Sequence, residues 1–214
     1  MLCPTEPQPL LERIRSVAEA RTGAESAHDW LHVLRVESLA ARIAGAEGAD
    51  ATVVCAAALL HEVFTLPKNH PDSPRAGALC ADVAREILVA LEAPEDLVRA
   101  VGHCIHVHAF SAGIEPDTLE AEVLQDADRL DAIGAIGIAR CFATCAAMGR
   151  PFYDRDDPFA EHRDLDDKSF GLDHFAKKLL LIPERLHTQE ARRIGRQRAA
   201  FIESYLQQLR SELG

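Results

Sequence analysis

The segment VVCAAALLHEV, residues 53–63, is apolar for eight residues and then places His61 and Glu62 side by side. Asp50 precedes it at the position of a helix N-cap, so we predict a helix over about residues 51–62. A run this apolar belongs in a protein core. Burying the two polar side chains at its end costs free energy unless something compensates them. The sequence therefore predicts a partner for His61 and Glu62.

The rest of the chain is also predicted to be helical. Aromatic residues make up only 5% of it, and β-branched residues are scattered rather than grouped in alternating runs, which favours an all-α class. We expect a single domain spanning residues 1–214, in which the charged, aperiodic segment 149–171 acts as a lid or covering loop. Further helices are expected at about 10–23, 29–47, 75–91, 95–108, 118–148, 172–186 and 188–213.

Charge and composition exclude several classes of function. The net charge of −11 repels phosphate backbones, and no Lys/Arg-rich stripe opposes it, so no nucleic-acid polymer is expected as partner. The six cysteines form no C-x-x-C pair, which is typical of reduced core thiols. The chain shows neither a signal segment nor an apolar run of about 20 residues, and we expect a soluble, cytoplasmic protein with no membrane partner. Exposed apolar helix faces are compatible with a homodimer.

Four ionisable residues stand on faces that otherwise look buried: His32, His61, Glu62 and Asp128. One shared metal ion would compensate all four at once. Imidazole and carboxylate ligands suit divalent cations, and we expect manganese first, with magnesium, iron, nickel or zinc as alternatives.

The order of these residues, H…HE…D, resembles the H…HD…D motif of the HD-domain superfamily. Further blocks resemble a bacterial branch of small stand-alone HD hydrolases and together span nearly the whole chain. They are HDWLHVLRV, AALLHEVFTLPKNHP, HAFSAG, LQDADRLDAIGAIGIARCF, DPFAEHRDLDDKSFGLDHF and KLLLIPERL.

The resemblance implies an HD-type helical bundle in which His32, His61, Glu62 and Asp128 occupy the metal-ligand positions. It also implies an enzyme that hydrolyses a phosphate ester or anhydride, with a nucleotide as the small phosphorylated substrate. Relatives in this branch include enzymes that remove pyrophosphate from nucleoside triphosphates. One residue departs from the motif, because Glu62 stands where the family has Asp. The extra methylene moves the carboxylate by about 1 Å, which can cost orders of magnitude in rate at a positioned site.

Cations near these residues are candidates for holding the substrate phosphate. We assign Lys68, His70, Arg75 and Arg129 to substrate binding, and Lys68 also to catalysis. The alternative for Lys68 is a solvated loop charge, and for Arg129 a salt bridge to a nearby carboxylate. His108 is the second candidate catalytic residue, as an acid at the leaving group or a ligand of a second metal.

Two alternative functions are compatible with the same residues. In the first, Glu62 marks a non-catalytic nucleotide-binding or regulatory module that keeps its ligand without turnover. In the second, His103 and His108 help to hold two irons in an oxygenase of the same fold.

Overall fold

The computed structural model describes residues 8–22, 29–66, 71–72, 75–108 and 113–214. Within these ranges the chain forms helices and no strand, which confirms the all-α class. The α-helices are α1 (Leu10–Arg21), α2 (Trp30–Glu47), α3 (Ala51–Leu60), α4 (Ala76–Ala90), α5 (Glu95–His108), α6 (Leu119–Asp131), α7 (Gly134–Ala147), α8 (Gly171–Lys177) and α9 (Gln189–Leu213).

Capping residues set the ends of the two helices that carry the histidines of the motif. The Asp29 carboxylate accepts a hydrogen bond from the backbone N–H of His32, and the Asp50 carboxylate accepts two from the first turn of α3. Helix α2 ends at Gly48, whose φ of 81° is in the left-handed region that glycine adopts readily. Helix α3 ends at Leu60, earlier than expected, so that His61 is its C-cap.

Packing divides the chain into two units. Of the described residues, those up to Gln125 belong to unit 1, and residues 126–214 form unit 2. Within unit 1, α3 contacts α1, α2 and α5, and α4 packs on α5. Residues 56–60 of α3 are completely buried, as its apolar sequence predicts. The expectation of a single domain stays a prediction.

Unit 2 contains the second half of α6 together with α7, α8 and α9. Helix α6 is followed by α7 at an angle of 64°, so the helical stretch expected over 118–148 forms two helices. Gly134 adopts a φ of 80°, and a Cβ at Gly137 would overlap the carbonyl oxygen of Ala132. Beyond α8 the chain forms 3₁₀ turns, at Leu179–Leu181 and Pro183–Arg185, instead of the continuous helix expected over 172–186. Pro183 excludes a regular α-helix through residues 179–183, because it lacks the N–H that would donate to the carbonyl of Leu179.

The segment 149–171 is held by hydrogen bonds within unit 2. The Asp154 carboxylate accepts from the backbone N–H groups of Asp156 and Asp157. Arg163 donates two hydrogen bonds, of 2.5 and 2.9 Å, to the buried carboxylate of Asp173. These contacts give the segment a defined course, and its role as a lid stays a prediction.

Among the described residues, no single helix is both long and apolar enough to span a membrane. Helices α6 and α7 pass that test only as a bent pair, and only by length and composition.

Candidate metal centre

The end of α3 fixes the orientation of the His61 ring. The last carbonyl groups of a helix have no intrahelical N–H partner. The carbonyl of Ala58 is one of them, and it accepts a hydrogen bond of 2.6 Å from Nδ1 of His61. The proton therefore sits on Nδ1, and the lone pair of Nε2 points away from the helix. The thiol of Cys80 on α4 donates to the backbone carbonyl of His61 at 3.2 Å. Both contacts hold the ring in one position.

His32 lies directly against this ring. Its Nε2 is 3.3 Å from Nε2 of His61, and the two side chains are 0% and 2% exposed. Two nitrogens bound to one divalent ion at about 2.1 Å are about 3.0–3.4 Å apart in tetrahedral or octahedral coordination. The observed separation fits that range without any movement of the rings.

Asp128 supplies the third donor of the cluster. Helix α6 is one uninterrupted helix that contributes residues to both units, and Asp128 lies one turn beyond Gln125. The Gln125 amide donates to the carbonyl of Val107 at 3.3 Å, which ties this turn of α6 to the end of α5. Ligand atoms of His32, His61 and Asp128 all lie within 4.8 Å of one another. Two imidazoles and a carboxylate are a donor set that suits a divalent cation.

His108 lies beside the same histidines and repeats the construction of His61. It is the last residue of α5, and its Nδ1 is 2.6 Å from the carbonyl oxygen of Ile105. Its ring centroid is 5.5 Å from that of His61, with the ring planes at 90°. The side chain is only 8% exposed. The structure therefore gathers His32, His61 and His108, three of the histidines selected from the sequence, in one cluster of unit 1.

Glu62 is half-buried and follows His61 directly, but its carboxylate does not belong to the set of atoms within 4.8 Å. The backbone turns at the end of α3, and neighbouring residues there project in different directions. Its assignment as a fourth ligand stays a prediction.

The structure describes only two of the four residues proposed to contact the substrate. Lys68 and His70 lie outside the described residues. Arg75 is exposed and has Asp72 as its neighbour at 3.9 Å. Arg129 donates through Nη1 to the carbonyl of Arg185 at 2.6 Å, so this donor already serves the packing of unit 2.

Asp126 is 0% exposed and is not among the residues selected from the sequence. Its carboxylate accepts from the backbone N–H groups of His187 and Thr188 and from the Thr188 hydroxyl, at 2.8–3.1 Å. Asp126 thus fixes His187 and Thr188, the two residues that lead into α9. An ionisable residue two positions before Asp128 in an apolar stretch was the available signal.

His103 does not join the cluster of rings. Its Nε2 contacts the Asp117 carboxylate at 2.5 Å near the surface. Of the two histidines considered for a di-iron site, only His108 therefore lies in contact with the ring of His61.

The chain belongs to the HD-domain family. The sequence profile described as "HD domain" matches residues 30–133, a range that contains His32, His61 and Asp128. HD domains bind divalent metals, and the His/His/Asp cluster is the corresponding candidate site in this chain.

Relatives match over almost the whole chain. YpgQ of Bacillus subtilis (strain 168) is 34% identical over 207 residues, covering 94% of this chain and 93% of its own length. The crystal structure of YpgQ in complex with ADP superposes with a TM-score of 0.74 at 34% identity, over 94% of this chain and 97% of that one. An HD-superfamily hydrolase from Bacillus thuringiensis is similar at 31% identity, with a TM-score of 0.70 and coverage of 95% and 94%. The expected HD-type bundle is thereby confirmed.

Proposed function

We propose that the protein is a metal-dependent phosphohydrolase that cleaves a phosphate ester or anhydride of a nucleotide with an activated water molecule. The observation that carries this proposal is the buried cluster of His32, His61 and Asp128. The ADP bound to the similar YpgQ supports a nucleotide as the class of substrate.

His32, His61 and Asp128 are the proposed ligands, with Glu62 as a fourth and manganese as the metal. When bound, a divalent ion lowers the pKa of a coordinated water and polarises the phosphoryl oxygen. Membership of the HD-domain family and the similarity to an HD-superfamily hydrolase support this chemistry.

The helix ends support a cation at this place. His61 directly follows the last turn of α3, and His108 is the last residue of α5. The carbonyl groups at these ends give each helix a partial negative charge. Each ring also places its Nδ1 against a carbonyl oxygen, of Ala58 and Ile105, which keeps Nε2 available as a lone pair. A second contact of this kind typically orients a ligating imidazole and raises its basicity.

His108 is proposed as the residue that moves the proton. Because its Nδ1–H is directed at Ile105, the neutral ring accepts a proton at Nε2 rather than donating one. It therefore takes a proton from the attacking water first and can then return that proton to the leaving oxygen. The acid role expected from the sequence becomes the second half of this cycle.

Lys68, His70, Arg75 and Arg129 remain the proposed contacts for the substrate phosphates. The exposed side chain of Arg75 is free to swing over a ligand, since its partner Asp72 is itself exposed and 3.9 Å away. Ion pairs of this kind contribute little free energy and exchange readily.

The test is an assay of the purified full chain with manganese against a panel of nucleoside mono-, di- and triphosphates. We expect release of phosphate or pyrophosphate from at least one of them. His61→Ala and Asp128→Asn should abolish this release and weaken manganese binding, whereas His106→Ala, a half-buried histidine outside the cluster, should not. Saturable nucleotide binding without release would establish the non-catalytic module instead. Two irons per chain with oxygen-dependent turnover would establish the oxygenase.

A further inference from the structure

A second group of charged side chains lies in unit 2 around Asp167. Three of the four lysines of the chain fall between residues 168 and 178, and two of them reach the Asp167 carboxylate. Lys177 Nζ is 3.0 Å and Lys178 Nζ is 2.7 Å from its oxygens. Nδ1 of His174 lies 3.3 Å from the same carboxylate, which is 7% exposed. One buried anion therefore holds two ammonium groups side by side.

Arg150 adds a further positive charge to this group. Its Nη1 donates to the backbone carbonyl of Asp167 at 2.7 Å, so the carboxylate is not its partner. The pKa of His174 is lowered by burial first and also by the positive charges of Lys178 and Arg150, while its hydrogen bond to Asp167 opposes the shift. Arg150 and Lys178 thus both act on the same ring, which is neutral at pH 7.

The cations exceed the anions at this place. Lys177 and Lys178 contact the Asp167 carboxylate, and the charge of Lys177 also interacts with Asp166. Arg150 adds a third positive charge beside the Asp167 backbone. This leaves a local excess of one positive charge in a chain whose net charge is −11. Like charges held close together cost free energy that a bound anion would recover.

Both ammonium groups keep donors for a ligand. An ammonium has three N–H groups. Lys178 uses one for Asp167, and Lys177 uses one for Asp167 and one for the carbonyl of Leu165. The two side chains are 57% and 44% exposed, so the donors that are left face solvent.

We propose that Lys177, Lys178 and Arg150 form an anion-binding site for a phosphate group, with Asp167 as the residue that holds the two ammonium groups in place. The site suits a compact anion with several oxygens, such as inorganic phosphate, pyrophosphate or the phosphates of a nucleotide. Pyrophosphate should bind more tightly than phosphate, because its second phosphoryl group carries additional charge and acceptors. The proposal concerns binding alone and does not depend on hydrolysis.

The test is calorimetric titration of the metal-free full chain with pyrophosphate, inorganic phosphate and AMP. Lys177→Ala/Lys178→Ala should weaken pyrophosphate binding at least about tenfold, because each substitution removes one ammonium group and its charge-assisted hydrogen bond to the anion. The matched control is Lys168→Ala/Arg155→Ala, which removes the same charge from exposed positions of the same unit and should change the affinity less than about threefold.

A third variant separates charge from folding. Lys177→Arg/Lys178→Arg keeps both charges, so it should stay within about threefold of the wild-type affinity. If the double alanine variant fails to fold, Lys178→Ala alone must show the loss. Equal weakening by the two double alanine variants would overturn the proposal, as would the absence of saturable binding to the wild-type chain. Tight binding of AMP with weak binding of both inorganic anions would also overturn it, since the nucleoside would then carry the affinity.

Discussion

Replacing Asp126 with Asn is expected to destabilise the protein strongly, although the two side chains have nearly the same shape. Oδ2 of Asp126 accepts two hydrogen bonds of 2.8 Å from Thr188, one from its backbone N–H and one from its hydroxyl. Oδ1 accepts from the N–H of His187 at 2.9 Å. An amide keeps only one acceptor oxygen, so the change leaves at least one set of buried donors without its acceptor.

The size of the effect follows from these contacts. A hydrogen bond to a charged group contributes about 1.5–3 kcal/mol. Losing both bonds to Thr188 should therefore lower the free energy of unfolding by about 3 kcal/mol. Thr188→Val removes only the hydroxyl donor and should cost about 1 kcal/mol. Because the two residues share a bond, the double variant should lose less than the sum of the single losses.

Urea unfolding followed by far-UV circular dichroism measures these differences. Asp164→Asn is the control, since Asp164 is an exposed carboxylate of the same unit and should change the free energy of unfolding by less than about 0.5 kcal/mol. The role of Asp126 in fixing the residues before α9 would be refuted if Asp126→Asn behaved like this control. Strict additivity with Thr188→Val would refute the shared contact.

Three further predictions concern other parts of the molecule. Glu62→Asp restores the carboxylate length usual in the family and should raise kcat/KM with manganese about tenfold or more, while an unchanged or lower rate would argue against Glu62 as a ligand. Burial raises the pKa of the Cys80 and Cys104 thiols to about 12. Both should resist iodoacetamide in the folded protein at about pH 8 and react after unfolding, and rapid modification in the native state would contradict this. Hydrogen bonds from Lys178 first, then from Lys177 and His174, hold the pKa of Asp167 below its ordinary value of 3.8. Its stabilising contribution is therefore complete above that value and is lost as the pH falls below it, so Asp167→Asn should flatten the acid side of the stability curve between about pH 5 and pH 2.5. A curve with the wild-type slope would contradict this prediction.

The sequence predicts the helices well because the signals are local. Asp29 and Asp50 mark the starts of α2 and α3, and Gly48 marks the end of α2. The apolar run of α3 marks that helix itself. Each signal lies in or next to the helix that it defines. The break after α8 was missed because 172–186 is apolar and helical in composition, and the single Pro183 decides its course. A single proline can interrupt a helix without changing the apolar pattern of the residues around it.

The candidate site could be predicted only in part. His32, His61 and Asp128 were selected because each places an ionisable group on an apolar face, and the structure brings their ligand atoms together. The contacts that orient the rings could not be predicted, because the carbonyl groups of Ala58 and Ile105 are backbone atoms and carry no sequence signal.

Asp126 and Asp128 show a second reason why the site could be predicted only in part from the sequence. Residues two apart lie on nearly opposite sides of a helix, so one of the pair can face the histidines while the other binds Thr188 before α9. Composition alone does not show which of the two carboxylates faces the histidines. The resemblance to the HD-domain family selected Asp128, and the contacts of Asp126 with Thr188 explain why a second carboxylate is buried beside it.

The most direct test of the central claim is an anomalous difference map from crystals of the full chain grown with manganese and recorded near the manganese absorption edge. We expect one strong peak within about 2.5 Å of Nε2 of His32, Nε2 of His61 and a carboxylate oxygen of Asp128. A peak at other residues, or none at these three while manganese is bound in solution, would contradict it.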